Sequence, residues 1–155
     1  MNITAGRFTM DLFSAGYKAN TGAGNLRHDP AFRFAASYLD GSGALQWNKH
    51  YSKVHTLSAL EVLTLTLSSG LTDPFGDAFA PGEVKVFAAY NDGTVALDVA
   101  GDFGFTFPLP AGAVFGWCAV DATGTLVTAS SKDTLTITNG SASTAGSVRL
   151  VICGD

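Results

Sequence analysis

The side chains best suited to chemistry in this 155-residue chain are three histidines and a scattered set of aspartates. His28, His50 and His55 show neither the two-residue nor the four-residue spacing of a helical metal motif. The chain also lacks a Gly-x-Ser-x-Gly elbow, a Walker loop and a dinucleotide-binding fingerprint. We therefore predict a non-enzymatic protein with no catalytic residue, no cofactor and no resident metal.

Four aspartates lie in or beside predicted turns: Asp92, Asp98, Asp102 and Asp121. Carboxylates gathered in one loop region could line a calcium site. Aspartate is also one of the commonest turn residues, because its side chain bonds to the backbone of its own turn. The turn-forming interpretation is the one we favour.

Aromatic residues offer a second kind of site, a platform on which sugars stack. The candidates are Trp47, Tyr51, Tyr90, Phe115 and Trp117. A carbohydrate-binding module would use Trp47, Tyr51 and Trp117, although the same residues suit a hydrophobic core equally well. A separate alternating row of three phenylalanines is typical of a core or of a seam between subunits, and consists of Phe103, Phe105 and Phe107.

Frequent turn residues indicate the elements that must carry these side chains. Eighteen glycines and five prolines separate short runs rich in Val, Thr, Phe and Leu, which is an all-β pattern. Strands are predicted at residues 4–12, 32–39, 44–49, 62–67, 84–90, 94–99, 103–107, 114–119, 126–129, 135–138 and 148–153. We predict one domain over residues 1–155, an antiparallel β-sandwich of jelly-roll type. Its first 50 residues supply N-terminal strands and an extended arm or loop at 19–30.

Turn sequences predict how some strands connect. Glycine follows Asp or Asn near residues 39–43, 90–94 and 121–124, so each of these should reverse the chain into a hairpin. The closing segment, residues 133–153, is predicted to be a further hairpin. Its second run, residues 148–153, is almost continuously apolar, as expected of a strand buried on both sides or covered by a neighbouring chain.

Composition bears on partners. Charged residues are 14% of the chain, against about 25% in typical soluble domains, so part of the surface is expected to be buried in an assembly. The net charge of −4, without a basic patch, argues against nucleic acid, and no apolar stretch predicts a membrane span. Cys118 and Cys153 lie in predicted strands, where free buried thiols are favoured over a disulfide.

The order of several segments resembles a small virion protein of tailed bacteriophages. The first half of the match runs YSKV at 51–54, LTLTL at 63–67, LTDPFG at 71–76 and VKVFAA at 84–89. It continues with PAGAVFGW at 110–117, DATG at 121–124, DTLTITN at 133–139 and VICG at 151–154. The resemblance covers residues 51–155, whereas the first 50 residues do not match.

This resemblance implies a non-enzymatic structural protein of the virion that is assembled in the host cytoplasm. Such proteins are capsid decoration (cement) or minor tail components, usually trimeric. The expected partners are the major capsid protein and two further copies of the chain. Predicted subunit-interface residues are Phe103, Phe105, Phe107, Val148, Leu150 and Ile152. Predicted capsid contacts lie in the arm, at Asn20, Asn25, Arg27 and His28. A tail-associated protein or a carbohydrate-binding module for host recognition is the alternative.

Overall fold

The computed structural model describes residues 6–13, 16–18, 26–28, 31–121 and 123–155, with side chains from residue 35 onward. Every regular element in these ranges is a β-strand, and no helix there is long and apolar enough to cross a membrane. The strands are β1 (Gly6–Phe13), β2 (Gly16–Lys18), β3 (Leu26–His28), β4 (Ala31–Asp40), β5 (Gln46–Trp47), β6 (Lys49–Leu57), β7 (Val62–Thr66), β8 (Leu71–Thr72), β9 (Ala78–Phe79), β10 (Glu83–Tyr90), β11 (Leu97–Gly101), β12 (Phe105–Leu109), β13 (Val114–Cys118), β14 (Thr125–Leu126), β15 (Thr134–Asn139) and β16 (Gly146–Gly154).

Two antiparallel sheets form the body of the molecule. The five-stranded sheet has the order β13-β10-β16-β6, with β14 also beside β10, and the four-stranded sheet has the order β12-β11-β15-β7. Their inner faces enclose the main core, whose fully buried members include Leu97, Val99, Ile137, Leu150 and Ile152. This arrangement confirms the predicted all-β antiparallel sandwich.

Alternation along the strands explains why they bury one face. In β15, Leu135 and Ile137 point into the core, while the threonines between them lie half-exposed on the other face. Successive side chains of a strand point to opposite sides, so a period of two in the sequence becomes one dry face and one wet face. β-Branched threonine suits such a half-exposed position.

The N-terminal strands build a separate layer. β1 pairs antiparallel with β4 from Gly6↔Tyr38 to Phe13↔Ala31, which confirms strands predicted at 4–12 and 32–39. The loop or arm predicted at 19–30 is partly wrong, because residues 26–28 form β3 and pair with β2. The rest of that segment lies outside the described residues. The strand predicted at 44–49 is also misplaced, since the chain forms the short β5 and then the nine-residue β6, which was not predicted.

The predicted C-terminal hairpin is wrong, and so is the hairpin at 90–94. β15 belongs to the four-stranded sheet and β16 to the five-stranded sheet, so their connection crosses between layers. β10 likewise belongs to the five-stranded sheet and β11 to the four-stranded sheet. A buried asparagine holds each crossing. Asn139 Nδ2 donates to the carbonyls of Ser58 and Thr144, each at 2.9 Å. Asn91 Nδ2 donates to those of Val95 and Leu109, each at 2.8 Å.

Two further predicted hairpins also do not form. β4 and β5 run parallel through Leu39↔Gln46 and Asp40↔Trp47, so the turn between them is a tight curl of the chain. β13 and β14 both pair antiparallel with β10, so they run in the same direction along one edge. Turn residues specify that a chain bends, whereas the burial of the following strand decides which sheet it joins.

Candidate assembly surfaces

Among the residues with described side chains, one half of the outer face of the five-stranded sheet is covered by other residues of the chain. Tyr38 and Ala36, from β4, pack with Trp47 on Val86 and Cys153. Tyr38 Oη donates to the carbonyl oxygen of Ala119 at 2.7 Å, and burial together with the Cys118 side chain raises the Tyr38 pKa. The end of β16 is therefore buried on both sides by its own chain, whereas Arg149 near its start is exposed on the outer face.

The other half of that outer face is exposed in the described part of the chain. Strand pairing places Val114, Tyr90, Arg149 and Val54 side by side across β13, β10, β16 and β6. Val114 is 70% exposed, Val54 50% and Tyr90 39%. Arg149 Nε bonds Asp92 Oδ2 at 2.7 Å, so the guanidinium is already paired within the chain. We call these four residues the sheet-face row. It is an apolar and aromatic strip with one neutralised charge, running across four strands.

A β-bulge on β10 carries the one fully buried lysine among the described residues. Val84 pairs with Gly154 and Val86 with Cys153, so Lys85 is an extra residue on its strand. Its Nζ donates to the Ser42 and Gly43 carbonyls at 2.9 and 3.2 Å and to Asp155 Oδ2 at 2.7 Å. All three ammonium donors are thereby used, as a buried charge requires. Lys85 thereby joins the bulge to Asp155 and to loop 41–45.

Loop 41–45 ends in a strained residue. Leu45 has a φ of 53°, a left-handed conformation that costs a non-glycine residue about 1–2 kcal/mol. Its backbone NH donates to the Val120 carbonyl at 3.2 Å, and its carbonyl accepts from the Leu39 NH at 2.9 Å. Leu39, Leu45 and Val120 are 60%, 39% and 45% exposed. We call these three residues the leucine patch.

The predicted interface residues fall into two groups. Val148, Leu150 and Ile152 are completely buried in the core of this chain, so the interface role predicted for them must be corrected, since they present no surface to another subunit. Phe103, Phe105 and Phe107 are half-buried against the same core. Phe105 contacts Phe87 with ring centroids 5.7 Å apart, and Phe107 contacts Phe115 at 3.9 Å. Their remaining exposed surface leaves an interface role a prediction.

The predicted stacking residues do not share a surface. Tyr51 is buried in the main core, and Trp117 packs against that core from β13. Trp47 lies on the opposite face of the sheet, with its ring 5.9 Å from that of Tyr38. The platform predicted from Trp47, Tyr51 and Trp117 is therefore not assembled. Phe115 also faces the core, and Tyr90 is the member that reaches solvent, in the sheet-face row.

The two histidines with described side chains are structural in their contacts. Tyr51 Oη lies 2.8 Å from His55 Nε2, and the His50 ring packs on Trp47 at 5.8 Å. Burial lowers the pKa of both imidazoles, with a further lowering at His55 from Lys53. At His50 the nearby Asp73 carboxylate opposes the shift. Both rings are thus held toward the neutral form.

The predicted aspartates do not gather at one site. Asp92 is paired with Arg149, whereas Asp98, Asp102 and Asp121 are exposed in separate places. Within the described part of the chain, no group of three or more His, Cys, Asp or Glu residues could hold a metal ion. Asn20 and Asn25 lie outside the described residues. Arg27 and His28 lie on β3, where only the backbone is described.

The two cysteines are free. Cys118 and Cys153 both pair with Val86 from opposite sides, so β10 separates their strands. Strands lie about 4.8 Å apart, which puts the two Cα atoms roughly 10 Å from each other, beyond the reach of a disulfide. Cys118 is half-buried, whereas Cys153 is fully buried and burial raises its pKa.

Comparisons with known proteins do not place the chain in a family. No protein-family model matches the chain, and none of the curated proteins is significantly similar to it in sequence. Among solved structures, the chain is similar to the cupin domain of Schizosaccharomyces pombe Cnp3. The similarity has a TM-score of 0.40 and 10% sequence identity over 94% of this chain and 84% of that one.

Sequence reasoning missed Lys85 and Leu45. A lysine inside the apolar run 84–89 is the signal that could have indicated a buried, paired charge on a strand. No comparable signal marks Leu45, because the left-handed conformation follows from the tertiary bonds to Leu39 and Val120.

Proposed function

We propose that this chain is a non-enzymatic structural protein of a bacteriophage virion, which assembles as a homotrimer and binds the assembled capsid as a decoration protein. The resemblance of residues 51–155 to such virion proteins motivates the proposal. The observation that carries it is the open half of the five-stranded sheet, where the sheet-face row exposes Val114, Tyr90 and Val54. An exposed apolar strip on a chain with only 14% charged residues favours a protein interface.

The occupant of this face is a second copy of the chain. The guanidinium of Arg149 is neutralised within its own subunit by Asp92, so burying the row against another copy leaves no unpaired charge. Subunit interfaces are rich in aromatic, apolar and arginine side chains, and the row contains all three. The half-exposed phenylalanines of β12 remain a second candidate contact.

A decoration protein stabilises a shell by mass action. Because it binds only the assembled state, it favours that state in proportion to RT ln(1 + [L]/Kd). A trimer presents each shell contact three times, so weak contacts combine into tight binding without any catalytic group.

Light scattering coupled to size-exclusion chromatography tests the trimer. We expect a mass three times that of one chain. Tyr90→Lys or Val114→Lys should convert the trimer to a monomer, because the lysine charge would be buried in the subunit interface. Thr64→Lys is the matched control, since Thr64 is exposed on the other sheet. A wild-type chain that is monomeric at micromolar concentration would contradict the proposed trimer.

Co-sedimentation tests the second half of the proposal. Purified chain is mixed with capsids assembled from the major capsid protein of the same phage. Saturable binding at stoichiometric occupancy is the expected result. A chain that stays in the supernatant at every concentration contradicts the decoration role. The tail-associated alternative is then the favoured function.

A further inference from the structure

We propose that Lys85 and Asp155 become joined, once the chain has folded, by an isopeptide bond between the lysine Nζ and the aspartate Cγ. The Nζ lies 2.7 Å from Asp155 Oδ2, and the lysine side chain is fully buried. The bond forms within one chain, so it depends neither on a capsid nor on other subunits.

The three hydrogen-bond partners of Lys85 Nζ orient it toward the aspartate. Two of them are the carbonyl oxygens of Ser42 and Gly43, at 2.9 and 3.2 Å, and the third is Asp155 Oδ2. A neutral amine has two N–H groups, which the two carbonyls accept, so its lone pair takes the third direction, toward the carboxyl group. A nitrogen hydrogen-bonded to a carboxyl oxygen lies about 3.5 Å from the carboxyl carbon, within the range from which positioned atoms react.

Burial favours the reactive forms of both groups. Lysine attacks carbon only as the neutral amine, and a carboxylic acid accepts that attack more readily than a carboxylate does. Removing an ion pair from water carries a desolvation penalty, and transfer of one proton from Nζ to Oδ2 along their hydrogen bond abolishes both charges. Because an amide hydrolyses slowly, a small neutral fraction is sufficient for the bond to accumulate.

Backbone contacts hold the two residues in this arrangement. Asp155 NH donates to the Glu83 carbonyl at 3.2 Å, and the Asp155 carbonyl accepts from the Gly82 NH at 2.5 Å. Gly154 pairs with Val84 beside the bulge, and a Cβ at residue 154 would collide with the Glu83 carbonyl oxygen, so glycine permits the close approach. Holding the reacting groups together in this way replaces a bimolecular encounter and lowers the barrier.

The bond forms with loss of one water molecule and needs no other reactant. After the first proton has passed to Oδ2, the Nζ lone pair attacks Cγ and the C–N bond forms. A second Nζ proton passes to the hydroxyl oxygen, the Cγ–Oδ2 bond breaks, and water leaves through an open cleft lined by Ser42, Glu83 and Asp155. The hydrogen that stays on nitrogen continues to donate to a carbonyl of loop 41–45.

Intact-mass spectrometry of the purified chain tests the bond. We expect the wild-type mass to be lower than the sequence mass by one water molecule, and peptide mapping to recover residues 85 and 155 in one branched peptide. Lys85→Arg should have its full sequence mass, because a guanidinium stays protonated and does not attack carbon. Asp155→Ser should also have its full mass, and it keeps an oxygen for Nζ should Lys85→Arg fail to fold. Lys53→Arg is the matched control, since Lys53 is exposed on β6 and its replacement should leave the loss of water unchanged.

Two results would overturn the bond. A folded wild-type chain that keeps its full sequence mass after prolonged incubation would show that Lys85 and Asp155 remain an ion pair. A loss of water that persists in Asp155→Ser would place the reaction elsewhere, as in a succinimide at an aspartate followed by glycine.

Discussion

The two faces of the five-stranded sheet differ in what completes them. The inner face is closed by the four-stranded sheet, and its residues Val148, Leu150 and Ile152 are wholly buried. The outer face is closed by β4 and Trp47 over one half, whereas the other half exposes the sheet-face row. One strand can therefore face the core on one side and present an exposed surface on the other, and an apolar residue type alone does not tell which.

Core truncation should separate the two faces most strongly. Ile152→Ala leaves a cavity on the closed inner face and should lower the free energy of unfolding by about 2–5 kcal/mol. Val114→Ala, on the open outer face, should change it by less than about 0.5 kcal/mol in the monomer. Urea denaturation of both variants measures the contrast, and similar losses would mean that the outer face is not open in solution.

Substitution of the buried lysine should have the next largest effect on the free energy of unfolding. Lys85→Met keeps the length of the side chain but removes the donor to the Asp155 carboxylate and to the Ser42 and Gly43 carbonyls, of which Gly43 keeps the Gln46 NH. Breaking a buried pair from one side costs about 3–5 kcal/mol, and the 13% exposure of the Asp155 side chain places the expected loss near the lower bound.

Hydrogen exchange of residues 41–46 measures the local effect of the same substitution. The amides of this loop should exchange faster in Lys85→Met, while those of β15 should change only as far as global stability falls. Lys85→Arg is the conservative control, which keeps the charge. An unchanged loop in Lys85→Met would show that Lys85 does not hold it.

The histidines give each face a pH response. Burial lowers the pKa of His55 beside Tyr51 and of His50 beside Trp47, so the unfolded chain binds protons more readily than the folded one. Stability should therefore be fully present above the unfolded pKa of about 6.5 and fall as the pH drops below it. Denaturation at pH 7.5 and pH 5.5 measures the slope.

Single substitutions assign that slope to a face. His55→Gln should flatten the part that arises beside the core, and His50→Gln the part that arises under the N-terminal cover. If neither variant differs from wild type in its pH slope, the loss of stability at low pH has another origin.

The reactivity of the two thiols should show the smallest difference between the covered and buried positions. With an aromatic disulfide reagent, the half-buried Cys118 should react slowly in the native protein, and Cys153 only after unfolding, because burial shields it and raises its pKa. Cys118→Ser should abolish the native reaction. Two thiols reacting at equal rates would mean that Tyr38 and Trp47 do not cover the outer face in solution.

The pattern of residue types is enough to predict where most strands lie and which face of each is apolar. Leu135 and Ile137 alternate with threonines, and this period of two is enough to predict β15 and its buried side. The strand β6 is not predicted because Lys53 and His55 stand between Tyr51 and Leu57 on its core-facing side, so the sequence shows no apolar period there.

The sheet that each strand joins, and the apolar residues that stay exposed, depend on contacts between distant parts of the chain. Residues 140–145 and 91–96 look like hairpin turns, yet Asn139 and Asn91 lead the chain across to the other layer, since both inner faces must be covered at once. The partner of Lys85, the strain at Leu45 and the open half of the outer sheet face likewise arise from contacts between residues far apart in the chain. Local spacing carries strand periodicity, whereas burial depends on which elements meet.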